Sequence, residues 1–283
     1  MKIPDRIKPL IEDGIVDDVL RQLKSGKEAA VYLVRCGSHV RCAKVYKEAT
    51  QRSFRQAVEY QEGRKVKNSR RARAMEKGSS YGKREQESAW QTAEADALYR
   101  LASVGVRVPK TYGFFEGVLI MDVVVDADGD PAPRLNDVLL TPEEAREYHQ
   151  LLVRQVVLML CAGLVHGDLS EFNILLAADG PVIIDLPQAV DAAHNNHASR
   201  MLERDLENLS EYFGRFAPEL LHTKYGKEIW KIYANGDLTP DTPLTGLFVE
   251  PTQSADVRGV LLEINDVIKE EMRRQERMKE LDA

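Results

Sequence analysis

Between residues 148 and 185 the chain reads "YHQLLVRQVVLMLCAGLVHGDLSEFNILLAADGPVIID", and no other stretch restricts the possible folds as much. A nearly all-apolar segment, suited to a core helix, runs through Gly163 into a polar segment. Two short strand-like runs, "NILL" and "PVIID", follow. The polar segment sets His166, Asp168, Glu171 and Asn173 between parts that must be buried. Polar groups in such a place need hydrogen bonds, a cation or a reactive role. The residues alone admit two readings. Asp168 and Asn173 cap turns in an ordinary loop, or they belong to a phosphoryl-transfer centre.

Spacing bears on the choice. Asp168 and Asn173 are five residues apart, and Asp185 lies twelve further on, ending the apolar run "VIID". If "NILL" and "PVIID" pair as a hairpin, Asn173 and Asp185 meet at one end of it. Metal-assisted phosphoryl transfer needs one carboxylate to orient the acceptor hydroxyl. It also needs an amide oxygen and a second carboxylate to hold Mg²⁺ on the nucleotide phosphates. Mg²⁺ suits these ligands because it prefers hard oxygens and keeps several waters.

The rest of the chain reads as α+β with a change of character near residue 125. Strand-like runs at 29–36, 40–46, 110–115 and 118–124 suit an antiparallel sheet, and one long helix over about 84–103, stopped at Gly105, interrupts them. The segment "VVDADGDPAPRL" (124–135) reads as a linker. Thr141, Pro142 and Glu144 form a capping box that opens the core helix. Further helices are expected near 197–216, 219–234 and 255–281. The division is therefore an upper, sheet-bearing part over 1–124 and a mostly helical part over 125–283. Charged residues make up 30% of the 283 and the net charge is −6, which argues against a general nucleic-acid binder. No apolar run approaches a membrane span, the amino terminus lacks a signal-peptide core, and the three cysteines are scattered. The expected setting is cytoplasmic, with no membrane partner.

Two further elements fit a nucleotide site. Lys44 in "CAKVY" has apolar neighbours and is costly to bury unless an anion pairs with it. The plain alternative is an edge-strand lysine facing water. Glu94 on the long helix is the natural partner, with Glu85, Glu87 and Asp96 as competitors. Upstream, "SGKEAAVY" (25–32) is a small-residue turn whose backbone N–H groups, with Ser25 and Lys27, suit phosphate oxygens. It holds one glycine, so it is not a Walker loop, and alone it reads as a hairpin turn.

Taken together, "SGKEAAVY", "AKVYK", "HGDLSEFN" and "IIDLPQAV" resemble the RIO family of atypical serine/threonine protein kinases, closest to its Rio-one-like branch. The resemblance runs from about residue 15 to "RDLENLSEYF" at 204–213. It implies a two-lobed protein-kinase-like fold without the usual activation loop and docking helices. It implies Asp168 as the catalytic aspartate, Asn173 and Asp185 as metal ligands, Lys44 on the ATP phosphates and Glu94 paired with Lys44. The backbone of Asp122 and Val123, just after Met121, becomes the hinge for adenine. The latter part of "VDDVLRQL", helical by periodicity, becomes the first strand. ATP, with Mg²⁺ or Mn²⁺, and a protein substrate follow as partners. The family also carries a flexible insertion where this chain has "EGRKVKNSRRARAMEKGSSYGKRE" (62–85). Such a basic loop is either a solvated surface or a contact for ATP, RNA, a ribosomal particle or an acidic protein. Its Ser69, Ser79 and Ser80 are candidates for self-phosphorylation.

Departures from ordinary protein kinases refine the expectation. His-Gly-Asp replaces His-Arg-Asp, so no arginine reads a phosphorylated activation loop. "IIDLPQAV" keeps the metal-binding acid without the mobile aromatic. Two other functions stay open: a conformational ATPase on a ribonucleoprotein, with transfer onto Asp185, and a small-molecule kinase of the aminoglycoside or choline type. The "AAHNNHA" segment reads as an N-cap by Asn195 or Asn196 rather than a metal site through His194 and His197.

Overall fold

A computed structural model describes residues 3–26, 28–47 and 80–249, the side chains of 80–91 excepted. Residues up to Leu247 belong to one compact unit. Five strands, β1 (Asp18–Ser25), β2 (Ala29–Cys36), β3 (His39–Tyr46), β4 (Thr111–Phe115) and β5 (Val118–Asp122), pair antiparallel in the order β1-β2-β3-β5-β4. The helical periodicity around residue 18 is overruled in favour of β1. Register shifts between Val19 and Arg21 and between Gln22 and Lys24 break the two-residue alternation, so the strand reads like a helix.

Alternation elsewhere sorts the sheet into two faces. Ala43, Val45, Val118 and Ile120 point outward and are covered by Ile7 and Leu10 of the N-terminal turn and by Val16. Leu10 belongs to the short helix α1 (Lys8–Glu12). Tyr46, Leu119, Met121 and Phe114 point inward, into the main core. The long helix α2 (Ser80–Ser103) supplies Leu98 and Leu101 to that core. It ends in a Schellman arrangement: Val106 N–H donates to Leu101 O at 3.0 Å and Gly105 N–H to Ala102 O at 3.2 Å. Gly105 sits at φ +83°, where a β-carbon would be strained.

Below the sheet, α3 (Pro142–Cys161) opens with the expected capping box. Glu144 N–H donates to Thr141 Oγ1 at 3.2 Å and Thr141 N–H to Glu144 Oε2 at 2.8 Å. β6 (Leu164–Val165) pairs with β9 (Val190–Asp191), and β7 (Ile174–Ala177) with β8 (Gly180–Ile183). Next come α4 (Ala198–Phe213) and α5 (Tyr225–Ala234). The single helix expected over 219–234 is two elements. Pro218–His222 is a 3₁₀ turn, Thr223 is extended, and Lys224 N–H is drawn off to Gly246 O at 2.7 Å. Residues 124–135 are more than a linker. Val125 bridges Pro131, and Arg134 bridges Leu175, adding backbone beside β7. The helix expected over 255–281 lies outside the described residues.

The fold is thus α+β, an antiparallel sheet lobe over a mostly helical lobe. Among the described residues no helix is long and apolar enough to cross a membrane.

Candidate active site

Lys44 lies in the middle of the sheet, on the inner face of β3 between Val31 of β2 and Leu119 of β5. Helix α2 lays Glu94 against it. Lys44 Nζ donates to Glu94 Oε1 at 2.6 Å and to Asp185 Oδ1 at 2.7 Å. Tyr46, two residues along β3 and hence on the same face, donates its hydroxyl to Glu94 Oε2. Both glutamate oxygens are therefore occupied, and Glu94 is 2% exposed. Burial works against the Lys44 ammonium, but Glu94 and Asp185 outweigh it and hold its pKa well above the ordinary value. The lysine is a permanent cation.

Asp185 arrives from the other lobe. The β7–β8 register sets Ile174 opposite Ile183, and Ile184 N–H then donates to Asn173 O at 2.9 Å. Asn173 and Asp185 therefore leave the same end of the hairpin, as the spacing suggested. Asp185 itself has φ +67°, a left-handed conformation that aspartate tolerates better than most residues. Its side chain is 44% exposed. Burial raises its carboxyl, yet the Lys44 charge and hydrogen bond prevail and leave it below the usual range.

The segment holding Asp168 is tied down from three sides. Asn173 Nδ2 donates to Asp168 O at 2.8 Å and to Asp168 Oδ2 at 3.4 Å. Asp205, from α4, accepts Gly167 N–H at 2.8 Å and Leu169 N–H at 2.9 Å, so one buried carboxylate grips the backbone on both sides of Asp168. Arg204 donates to Gly167 O. Burial raises the Asp168 carboxyl, and Asp185 nearby adds to this against the pull of Arg204 and Asn173. A raised carboxylate that keeps an open oxygen suits a proton acceptor.

His166 links the two halves of the site. Its Nδ1 stands 3.2 Å from Asp168 N–H and its Nε2 3.2 Å from Ile184 O. Only the neutral tautomer with the proton on Nε2 satisfies both, since Nδ1 must accept. Burial accordingly lowers its pKa to about 4. A pKa depressed below the unfolded value gives stability that is complete above pH ~6.5 and lost as pH falls through the folded value. At ~1.4 kcal/mol per unit, His166 contributes roughly 3 kcal/mol that disappears on acidification. Asp205, pushed by burial up to about 7, works in the opposite direction over the same window. The expected result is therefore read at the residue: in an NMR titration the His166 imidazole stays neutral at pH 5. A midpoint near 6.5 would break the proposed link between Asp168 and Ile184.

Sequence reasoning placed Lys44, Glu94, Asp168, Asn173 and Asp185, and the structure joins them in two bonded groups, Glu94–Lys44–Asp185 and Asp168–Asn173, bridged by His166. Ser25 ends β1 with its hydroxyl 3.4 Å from Lys47 Nζ, which also donates to Gly26 O at 2.6 Å. Lys27 lies outside the described residues, as do 62–79 of the basic insertion; Ser80 opens α2. Met121 faces the inner core, and Asp122 N–H donates to Lys110 O at 2.8 Å. The N-cap of α4 is His197, not Asn195 or Asn196. Asn195 Oδ1 accepts His197 N–H at 2.8 Å, one step earlier. His194 Nδ1 is 2.8 Å from Asp191 Oδ1. Asp205 and Tyr46 were missed. Both left a signal: Asp205 is an acid on the apolar stripe of Met201, Leu202, Leu206 and Leu209, and Tyr46 shares the lysine's face by the period of two.

A five-stranded antiparallel sheet set over a helical lobe, with its central lysine paired to a helix glutamate, is a protein-kinase-like fold. A family model described as "RIO domain" matches residues 30–225. The RIO-type serine/threonine-protein kinase Rio1 of Haloferax volcanii is 35% identical over 215 residues, 74% of this chain and 68% of that one. Its namesake from Methanocaldococcus jannaschii is 32% identical over 219 residues, 77% and 69% of the two chains. The serine/threonine-protein kinase RIO1 of Homo sapiens is 31% identical over 208 residues, 73% of this chain but 35% of that protein. The chain belongs to the RIO domain family.

Proposed function

We propose that this protein is an ATP-dependent serine/threonine protein kinase of the RIO type that also phosphorylates itself. The observation that carries the reading is the Lys44–Asp185 ion pair at 2.7 Å, which draws the sheet and the hairpin together beside Asp168. In this reading Lys44 neutralises phosphate charge, Glu94 and Tyr46 hold it in place, and the Met121–Val123 backbone takes the adenine edge. Ser25, at the end of β1, contacts the phosphates, and the sequence assigns Lys27 to the same contact. Asp168 orients the acceptor hydroxyl and takes its proton as the oxygen attacks the terminal phosphorus. The bond to the leaving diphosphate then breaks.

A divalent metal belongs to such chemistry, and magnesium is our assignment in preference to manganese. The donors fit. Lys44 engages one Asp185 oxygen, and Asn173 spends its Nδ2 on Asp168, so hard oxygens of both residues are left for a cation. When bound, the metal neutralises charge developing on the phosphates. The remaining partner is a protein substrate. The basic stretch 62–85, with nine Lys or Arg against three Glu, supports RNA or ribosomal contact through its charge alone, and a cytoplasmic setting accompanies it.

Mass spectrometry of purified protein incubated with ATP and Mg²⁺ is the test. The expected product is acid-stable phosphoserine or phosphothreonine. Release of free phosphate with only an acid-labile, hydroxylamine-sensitive adduct at Asp185 would replace the kinase by the ATPase.

A further inference from the structure

Thr111 opens β4, and its hydroxyl oxygen is the one buried side-chain polar atom among the described residues without a hydrogen-bond partner. The residue is 7% exposed. An orphaned buried hydroxyl lowers stability, whereas a methyl group of the same size in its place would not. Such a group calls for a partner that arrives from outside.

Register locates it. Thr111 pairs with Met121, Met121 with Cys42, and Cys42 with Leu33, forming one rung across four strands. Paired residues share a face, and Met121 packs against the inner core, so Thr111 belongs to the side of the sheet that carries Lys44. Lys44 is two residues along β3 from Cys42, roughly 7 Å. With the nucleotide phosphates on Lys44, the base lies further along the same face, against this rung and beside the backbone that follows Met121. Leu33, Cys42 and Met121 offer it apolar cover. The polar groups around them are already committed: Lys110 O accepts Asp122 N–H at 2.8 Å, and the Asp122 carboxylate accepts the Tyr112 hydroxyl at 2.7 Å. Thr111 carries the one hydroxyl on the rung.

We propose that the Thr111 hydroxyl recognises the exocyclic amine of adenine by accepting one of its N–H groups. The contact rests on the nucleotide reading above and adds a base-specific element to it. Adenine restores the missing partner, while a purine without the amine leaves the oxygen orphaned again.

A thermodynamic cycle on the full chain tests this. Dissociation constants are measured for ATP and for purine riboside triphosphate, which lacks the amine, with the unaltered protein, Thr111→Val and Thr111→Ser. In the unaltered protein and the serine variant, removal of the amine should weaken binding roughly fivefold more than in the valine variant. An equal ratio in all three proteins overturns the contact. Failure of the unaltered protein to bind ATP overturns the kinase reading instead, and this contact with it. Thermal melting without nucleotide guards against a folding artefact. Thr111→Val should melt at the same or a higher temperature, and a lower one would mean that the hydroxyl already serves the fold.

Discussion

Asp168→Asn is expected to lower phosphoryl transfer by roughly 10²–10⁴-fold while leaving ATP affinity largely intact. The substitution keeps the side chain's size and its place between Gly167 and Leu169, whose amides are held by Asp205 rather than by Asp168. It removes the charge and the proton-accepting oxygen. In the proposed mechanism the residue acts on the hydroxyl, not on the nucleotide, so the loss should fall on the rate constant and not on ATP binding. Single-turnover transfer from labelled ATP, with nucleotide binding measured separately, distinguishes the two. A comparable loss in ATP affinity would move Asp168 from the acceptor side to the nucleotide side.

Lys44→Met should be the most damaging change to stability, by about 3–5 kcal/mol, because it strands a buried carboxylate. Glu94 is 2% exposed and Lys44 9% exposed, so water cannot replace the lost ammonium. Tyr46 would still donate to Glu94, but a neutral hydroxyl cannot balance the charge. Adding Glu94→Leu should recover part of the loss, since it removes the stranded charge but leaves the buried Tyr46 hydroxyl without its acceptor. Neither the single nor the double variant should transfer phosphate. Chemical denaturation of the unaltered protein, Lys44→Met, Glu94→Leu and the double variant measures the coupling. A single-variant loss under about 1 kcal/mol would mean that the pair behaves as an exposed ion pair.

Local signals were strong wherever one short segment did one job. The capping box at Thr141 and the stop at Gly105 were legible because they are made by residues within a turn of one another. The hairpin that puts Asn173 beside Asp185 was legible too, since both runs and the turn between them fall within thirteen residues. β1 misled because its two register shifts spoil the alternation on which a strand is recognised. The 124–135 segment looked like a linker because its pairing with β7 depends on residues some forty positions away.

By itself, then, the amino-acid order determined the chemical inventory: a lysine between apolar neighbours, an acid and an amide at hairpin spacing, and helices with their ends marked. Only the tertiary structure decided which acid meets the lysine, that Tyr46 and Asp205 serve the site, and that one threonine hydroxyl is left without a partner. Periodicity records which face a side chain takes within its own element. It carries no record of which face of another element will be packed against it. That pairing is settled when distant segments share one core, where every buried charge must find its counterpart.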